Sequence, residues 1–285
     1  MTQTSGRFPD VRALGPTGAA GLWTAVAATS FRRYSTYRVA TVSGIFTNAV
    51  FGVISSYVYL ALWSQRPHLG GYDSIDAVTY TWIGQAMIVP AMVWGGGFQA
   101  DLTERIRSGD IAIDLYRPTG LIPWWLAADL GRATFHFISR FAPMMAVGAA
   151  LFSLRFPDGL HAAAFAVAAY LAVLVSFGIR FLVSLSAFWL LDSRGVEAVA
   201  TILGMFCSGL LLPLVVFPTP ARHVLEALPW ATYIQTPAQV WLGQTGDVGG
   251  TALALASQAA WATILFAVAA AALRAATRVL VVQGG

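Results

Sequence analysis

The chain has 285 residues, of which 57% are hydrophobic and only 11% are charged, and its mean hydropathy is +0.67. Soluble domains carry roughly a quarter charged residues, so this composition excludes an ordinary soluble protein and indicates an integral membrane protein. The net charge of +4 comes from arginine alone, since the sequence has no lysine. A Walker A loop and a Schiff-base enzyme both need a lysine, so neither chemistry can reside in this chain.

Cysteine and histidine give little support for a metal site. Cys207 is the single cysteine, which excludes an internal disulfide and a cysteine-based metal cluster. The four histidines lie far apart in the sequence and show no metal-ligand spacing. We therefore expect neither a metal nor a cofactor in this chain.

The N-terminal region has two parts. Residues 1–19 are small and polar, and we expect a flexible cytoplasmic tail there. Residues 22–38 mix aromatic and aliphatic side chains with Arg32, Arg33 and Arg38, a pattern typical of a helix in the headgroup region of a membrane. A cytoplasmic extension of the next apolar run is the alternative.

Six apolar runs follow, each near the ~20 residues that a helix needs to cross a hydrocarbon core of about 30 Å. Most loop arginines fall on the side of the N-terminus, which the positive-inside rule places in the cytoplasm. The sequence therefore predicts an all-α polytopic membrane protein, a single transmembrane domain over residues 1–285, with both termini cytoplasmic. The six predicted spans are residues 40–63, 77–98, 133–154, 160–190, 196–217 and 253–273.

Residues 99–118, between the second and third runs, are rich in charge. Asp101 and Arg105 are four residues apart, and Glu104 and Arg107 are three apart, which are the spacings that pair across one helical turn. A short helix is predicted here. A solvated loop with incidental salt bridges is the alternative that the residues alone leave open.

The same segment contains helix stop and start signals. The first helix is predicted to end at Ser108, with Gly109 as a left-handed cap and Asp110 accepting the free amides of a new helical turn. Pro118 is expected to end the unit.

Residues 104–118 follow the pattern Glu-Arg-x-x-x-Gly-Asp-Ile-x-x-Asp-x-x-Arg-Pro. This pattern resembles the cytoplasmic loop of ABC-transporter permeases of the type 2 export class, in particular the small six-span permeases found beside bacterial ATP-binding proteins. The stretch from Leu228-Pro229-Trp230 to Gly243 and the C-terminal Gln283-Gly284-Gly285 support the resemblance. It extends over nearly the whole chain in span count and loop placement.

The resemblance implies an exporter in the bacterial plasma membrane, with two permeases, identical or paralogous, on two ATP-binding subunits that hold ATP and Mg²⁺. The apolar spans suit a hydrophobic or amphipathic cargo, such as a drug, a natural product or a lipid. An importer, an ATP-independent channel, a secondary transporter and a membrane-embedded enzyme are the alternatives. The expected partners are these subunits and membrane lipid, without nucleic acid.

The resemblance also implies site residues. The helix over residues 104–114 would be a coupling helix that docks into the ATPase, with polar contacts from Glu104, Arg105 and Arg107, while Ile106 and Ile111 fill a groove of the ATPase. The full predicted coupling set is Asp101, Glu104, Arg105, Ile106, Arg107, Gly109, Asp110, Ile111, Asp114 and Arg117.

Two further predictions concern the membrane region. The resemblance also implies that residues 218–250 fold as short re-entrant helices on the outer face, and four prolines break any continuous helix there. Polar residues within spans are candidates for a substrate path, with interhelical hydrogen bonds or snorkelling as the structural alternative. These candidates are Asn48, Gln85, Arg140 and Arg180.

Overall fold

The structure, a computed structural model, describes residues 16–116, 119–190 and 192–283. Within these ranges the chain is helical and contains no strand, which confirms the all-helical prediction. The helices are α1 (Pro16–Ser35), α2 (Arg38–Gln65), α3 (Ser74–Met87), α4 (Phe98–Ser108), α5 (Ile111–Leu115), α6 (Leu121–His136), α7 (Ala142–Leu151), α8 (Gly159–Leu185), α9 (Arg194–Cys207), α10 (Thr219–Ala227), α11 (Gln235–Trp241) and α12 (Val248–Gln283).

The N-terminal helix begins earlier than predicted. The tail predicted for residues 1–19 lies outside the described residues up to position 15, but residues 16–19 already belong to α1. Pro16 suits the first position of a helix because its φ angle is preset and its missing N–H needs no partner there. The helix ends at Ser35, three residues before the predicted end.

Three helices are long and apolar enough to cross a membrane, namely Arg38–Gln65, Gly159–Phe188 and Val248–Arg278. They coincide with the first, fourth and sixth predicted spans. At 1.5 Å per residue each exceeds the ~30 Å hydrocarbon thickness.

The third predicted span lies within a helical rod over residues 121–151, built from α6, a π-helical turn at Phe137–Phe141, and α7. Pro143 stands in the first turn of α7 and has no N–H to donate to the preceding turn. A π-helical turn just before it accommodates this missing bond.

The second predicted span, residues 77–98, is wrong as a single helix. α3 ends at Met87, and residues 88–97 form tight turns before α4 begins. Pro90 removes a helical N–H, and Gly95, Gly96 and Gly97 all have φ angles between 68° and 98°, which a right-handed helix does not allow.

The fifth predicted span, residues 196–217, is also interrupted. α9 ends at Cys207, and Gly209 follows with a φ angle of 83°. Pro213 precedes a short 3₁₀ turn at Leu214–Val216. Residues 218–250 contain α10, a 3₁₀ helix at Pro229–Tyr233 and α11, as the prolines predict. Their position relative to a membrane stays a prediction.

Helix α8 is the centre of the fold and packs against α4, α6, α11 and α12. In its C-terminal half, Phe177 and Phe181 are fully buried and form one hydrophobic cluster with Phe98 of α4. Helix α1 packs along α6, where Phe31 meets Phe135 edge to face at 5.5 Å between ring centroids. The contact between Phe98 and α8 attaches the charged segment over residues 99–118 to the apolar helices.

Candidate functional site

Helices α4 and α5 form a compact hairpin. α4 ends at Ser108, and Gly109 takes the left-handed conformation with a φ angle of 85°, as predicted. Asp110, however, does not cap α5 with its side chain. Its backbone is itself helical, with φ −61° and ψ −17°, whereas a capping residue needs an extended backbone.

The ion pairs of the hairpin differ from those predicted. Asp101 pairs with Arg33 of α1, at 3.7 Å between Nη1 and Oδ2. Arg105 donates from Nη1 to Oδ2 of Asp114 at 2.9 Å, which ties α5 back onto α4 across the Gly109 turn. Neither expected pair within α4 forms among the described residues. The sequence could not show that Arg33 is the partner of Asp101, because the two residues are 68 positions apart.

The structure does not leave Ile106 and Ile111 exposed for the predicted contact with a groove of the ATPase. Their exposed fractions are 7% and 0%, because both side chains belong to the cluster around Phe98 and Phe181. Phe98, Leu102 and Ile106 follow one another at four-residue steps and form the inner face of α4. This spacing was the available signal that Ile106 faces inward.

The exposed apolar residues of the hairpin are instead Ile113 and Tyr116, with exposed fractions of 61% and 90%. Glu104 and Arg107 are exposed on α4. The outer surface of the hairpin thus combines two apolar side chains with charged ones. Arg117 and Pro118 lie outside the described residues.

A cleft of about 720 Å³ opens between α1, α4 and α6. Its charged lining consists of two arginines and three carboxylates, an excess of one negative charge. These residues are Arg33, Arg105, Asp101, Glu104 and Asp110. The cleft therefore favours a basic element of a partner.

A buried charge network lies directly behind the hairpin. Arg132 donates from Nε to Oδ1 of Asp129 at 2.7 Å, and Arg180 donates from Nη2 to Oδ2 of Asp129 at 2.6 Å. None of the three side chains is more than 4% exposed. Asp129 and Arg132 were not among the predicted site residues, although the apolar residues around Asp129 were a signal of burial.

The two guanidinium groups also bind the interrupted backbone before α4. Arg132 donates to the carbonyls of Val89 and Pro90 at 2.8 and 3.0 Å, and Arg180 donates to the carbonyl of Gly96 at 3.1 Å. The carbonyls of Val89 and Gly96 also accept turn hydrogen bonds from the N–H groups of Met92 and Gln99, so the arginines add side-chain partners to a backbone that has no regular helix. Arg180 also stacks on the Phe98 ring, with Cζ 4.8 Å from the centroid. The network fixes the start of α4.

The structure places the predicted substrate-path residues in different surroundings. Asn48 donates from Nδ2 to the main-chain carbonyl of Gln85 at 3.4 Å, which links α2 to α3. The Arg180 side chain is buried and paired with Asp129, so it is not accessible to a cargo in this structure. Arg140 is half-buried and donates from Nη2 to the carbonyl of Ala40 at 3.2 Å. No group of three His, Cys, Asp or Glu side chains within the described ranges could hold a metal ion.

Residues 50–284 match the family model described as ABC-2 family transporter protein. The match begins within α2 and includes the α4–α5 hairpin and the charge network. No curated protein matches the chain. Since the family match covers well over half of the sequence, the chain belongs to the ABC-2 transporter family and is a permease subunit of an ABC transporter, associated with an ATP-binding subunit.

Proposed function

We propose that this permease is the membrane half of an ATP-driven exporter in the bacterial plasma membrane. Two permeases, identical or paralogous, sit on two ATP-binding subunits, which hold ATP and Mg²⁺. The α4–α5 hairpin receives the movement of the ATPase. The observation that carries this proposal is the exposed apolar pair Ile113 and Tyr116 on a hairpin held from behind by the Asp129 network.

The proposed topology has six spans with both termini in the cytoplasm. α2, α8, α12 and the rod over residues 121–151 supply four of them. α3 and α9 are the other two, and the irregular segments that follow them complete each crossing. Irregular backbone is tolerated at membrane depth when protein satisfies its polar groups, as Arg132 does for the carbonyls of Val89 and Pro90.

Force is transmitted from the hairpin to the spans through aromatic packing. Phe98, the first residue of α4, lies 4.8 Å from Phe177 and 6.4 Å from Phe181 of α8 between ring centroids. A tilt of α4 therefore displaces α8, because close-packed interiors transmit movement rather than absorb it. In the docked state Ile113 and Tyr116 occupy an apolar cleft of the ATPase, and Glu104 and Arg107 contact its rim.

The proposed export direction and the hydrophobic or amphipathic cargo rest on the resemblance and on the apolar spans, whereas the buried carboxylates bear on the energy source. Among the described residues, two carboxylates are buried in helices of the proposed spans, and both pair with arginine: Asp129 with Arg132 and Arg180, and Asp76 with Arg155. A proton-coupled transporter needs an intramembrane carboxylate that can change its protonation. This observation favours ATP over a proton gradient as the energy source.

The test is co-purification of the permease with its ATP-binding subunit, with ATPase activity and ATP-dependent uptake into inside-out vesicles as further readouts. Ile113→Asp places a charge in the proposed apolar contact and should abolish all three. Val224→Asp is the matched control, because Val224 is similarly exposed on α10 and belongs to the opposite side in the proposed topology. Wild-type ATPase recovery by Ile113→Asp would overturn the docking assignment, and cargo movement without ATP would overturn the exporter.

A further inference from the structure

Arg140 is a half-buried cation without a countercharge. It lies in the π-helical turn Phe137–Phe141, and its one hydrogen bond in the described structure goes to the carbonyl of Ala40. No carboxylate among the described residues pairs with it, whereas Arg132 and Arg180 share Asp129. An unneutralised charge in a membrane protein is costly, so such a residue is a candidate for ligand binding.

Three polar atoms in this region are buried without a hydrogen-bond partner. They are Nδ1 of His136, Oγ of Ser139 and Nε of Arg140. Ser139 and Arg140 lie three and four residues after His136, within about one turn of the helix. His136 itself is only 6% exposed. Buried polar groups are nearly always satisfied, and three orphans within five residues indicate a missing ligand group.

Gly44 of α2 makes room for the guanidinium group. A Cβ atom at this position would overlap Nη1 and Nη2 of Arg140. The guanidinium group of Arg140 thus packs against a glycine of α2. An arginine that only extended its side chain toward the headgroups would not need a glycine beside its guanidinium group.

The depth of the site suits the headgroup of an amphiphile. Ala40 and Gly44 are two and six residues after Arg38, the first residue of α2, which corresponds to about 3 and 9 Å along the axis. In the proposed topology, on which this step rests, this is the boundary between headgroups and acyl chains on the cytoplasmic side.

We propose that Arg140, together with Ser139 and His136, binds the phosphate or carboxylate group of an anionic amphiphile in the inner leaflet. The guanidinium supplies the charge and two or more N–H donors, and the Ser139 hydroxyl supplies another. Two sources share this chemistry, namely a resident anionic lipid and an anionic amphiphilic cargo.

The experiment uses the full-length permease alone, in a neutral detergent, with radiolabelled phosphatidylglycerol as the probe and dodecyl phosphate as competitor. Arg140→Gln should weaken binding by about tenfold or more, since it removes a charge-assisted hydrogen bond. Gly44→Ala should weaken binding without changing any charge, because it displaces the guanidinium. Arg140→Lys keeps the charge and should retain part of the affinity.

Arg38→Gln is the matched control, because Arg38 is an exposed arginine near the same depth. Equal affinities for wild type and both Arg140→Gln and Gly44→Ala would overturn the proposal. An equal loss in Arg38→Gln and Arg140→Gln would also overturn it, as this result indicates diffuse attraction. Thermal unfolding of each variant verifies that a loss of binding does not arise from a loss of fold.

Adding the ATP-binding subunit and ATP in proteoliposomes distinguishes the two sources. Net movement of dodecyl phosphate across the bilayer, lost in Arg140→Gln, identifies a cargo site. Binding that persists without such movement identifies a resident lipid. The binding measurement needs no ATP, so the proposed anion site can be confirmed even if the exporter proposal fails. A lack of binding would overturn the anion site and leave the exporter proposal unaffected.

Discussion

Arg180 on α8 and Asp129 on α6 are joined by a hydrogen bond of 2.6 Å between Nη2 and Oδ2, and both side chains are almost completely buried. The same carboxylate serves Arg132, so one negative charge compensates two positive ones. Both arginines also donate to main-chain carbonyls of residues 88–97, and Nε of Arg180 donates to Oγ of Ser176 at 3.1 Å. The stability of the hairpin base therefore depends on a single carboxylate.

Replacing Asp129 should be severely destabilising. Asp129→Ala leaves two guanidinium groups buried without a countercharge, and breaking a buried pair in this way costs about 3–5 kcal/mol. We expect a large drop in the thermal unfolding temperature of the detergent-solubilised protein. Asp192→Ala is the control, because its pair with Arg194 is largely exposed and such pairs contribute about 0–1 kcal/mol. Equal unfolding temperatures for the two variants would contradict the structural role of Asp129.

Gly109 should resist substitution for a purely conformational reason. A Cβ there would meet nothing within 4 Å, yet the φ angle of 85° is one that L residues rarely adopt. Gly109→Ala should therefore cost about 1–2 kcal/mol and loosen the hairpin turn. Hydrogen exchange of residues 109–116 is the measurement. Gly195→Ala is the matched control, since its Cβ is also in open space but its backbone is helical, and this change should be neutral or stabilising.

The contact between α1 and α6 depends on Gly131. A Cβ at this position would overlap the carbonyl group of Ala27, which is backbone and cannot move aside alone. Gly131→Ala should separate α1 from α6 and make α1 accessible to protease. Gly21→Ala, on the outer part of α1 with open space around it, should leave the protease pattern unchanged. An unaltered pattern in Gly131→Ala would show that the two helices are not packed this closely.

The start of α8 should weaken in acid. The main-chain N–H and the ring of His161 bind the Asp158 carboxyl and hold its pKa below the ordinary value. A carboxyl with a lowered folded-state pKa stabilises the fold above its unfolded pKa of about 3.9, and this contribution is lost as the pH falls through the folded pKa. Wild type should lose stability relative to Asp158→Asn below about pH 4, because asparagine keeps the capping oxygen without titrating. Parallel unfolding temperatures of the two proteins over this range would contradict the expectation.

The sequence predicted most of the helices because their signals are local. The apolar runs of α2, α8 and α12 and the Gly109 turn could be identified from residues within one helix or turn of each other. The second span was predicted wrongly because the apolar run from 77 to 98 outweighed Pro90 and the three glycines that interrupt it. Hydrophobicity reports depth in the membrane, but it does not report continuity of the helix.

The site was less predictable because its contacts are distant in sequence. Asp101 pairs with Arg33 rather than with a residue of its own helix, and Asp129 joins Arg180, 51 residues later. The inward direction of Ile106 followed from the spacing of Phe98 and Leu102, whereas the exposure of Tyr116 depends on how α5 folds back. Charge pattern alone indicates that a helix is polar, and only tertiary packing decides which of its faces remains available.

The break between α3 and α4 has a mechanical consequence. If the two helices were one rod, any rotation of α4 would be carried straight along the axis of α3. The three consecutive glycines at 95–97 remove that axial stiffness and act as a joint, while the Phe98 stack and the Gly96–Arg180 bond fasten α4 sideways to α8. In the proposed mechanism, a push on the hairpin would therefore reach α8, the central helix of the permease, rather than α3.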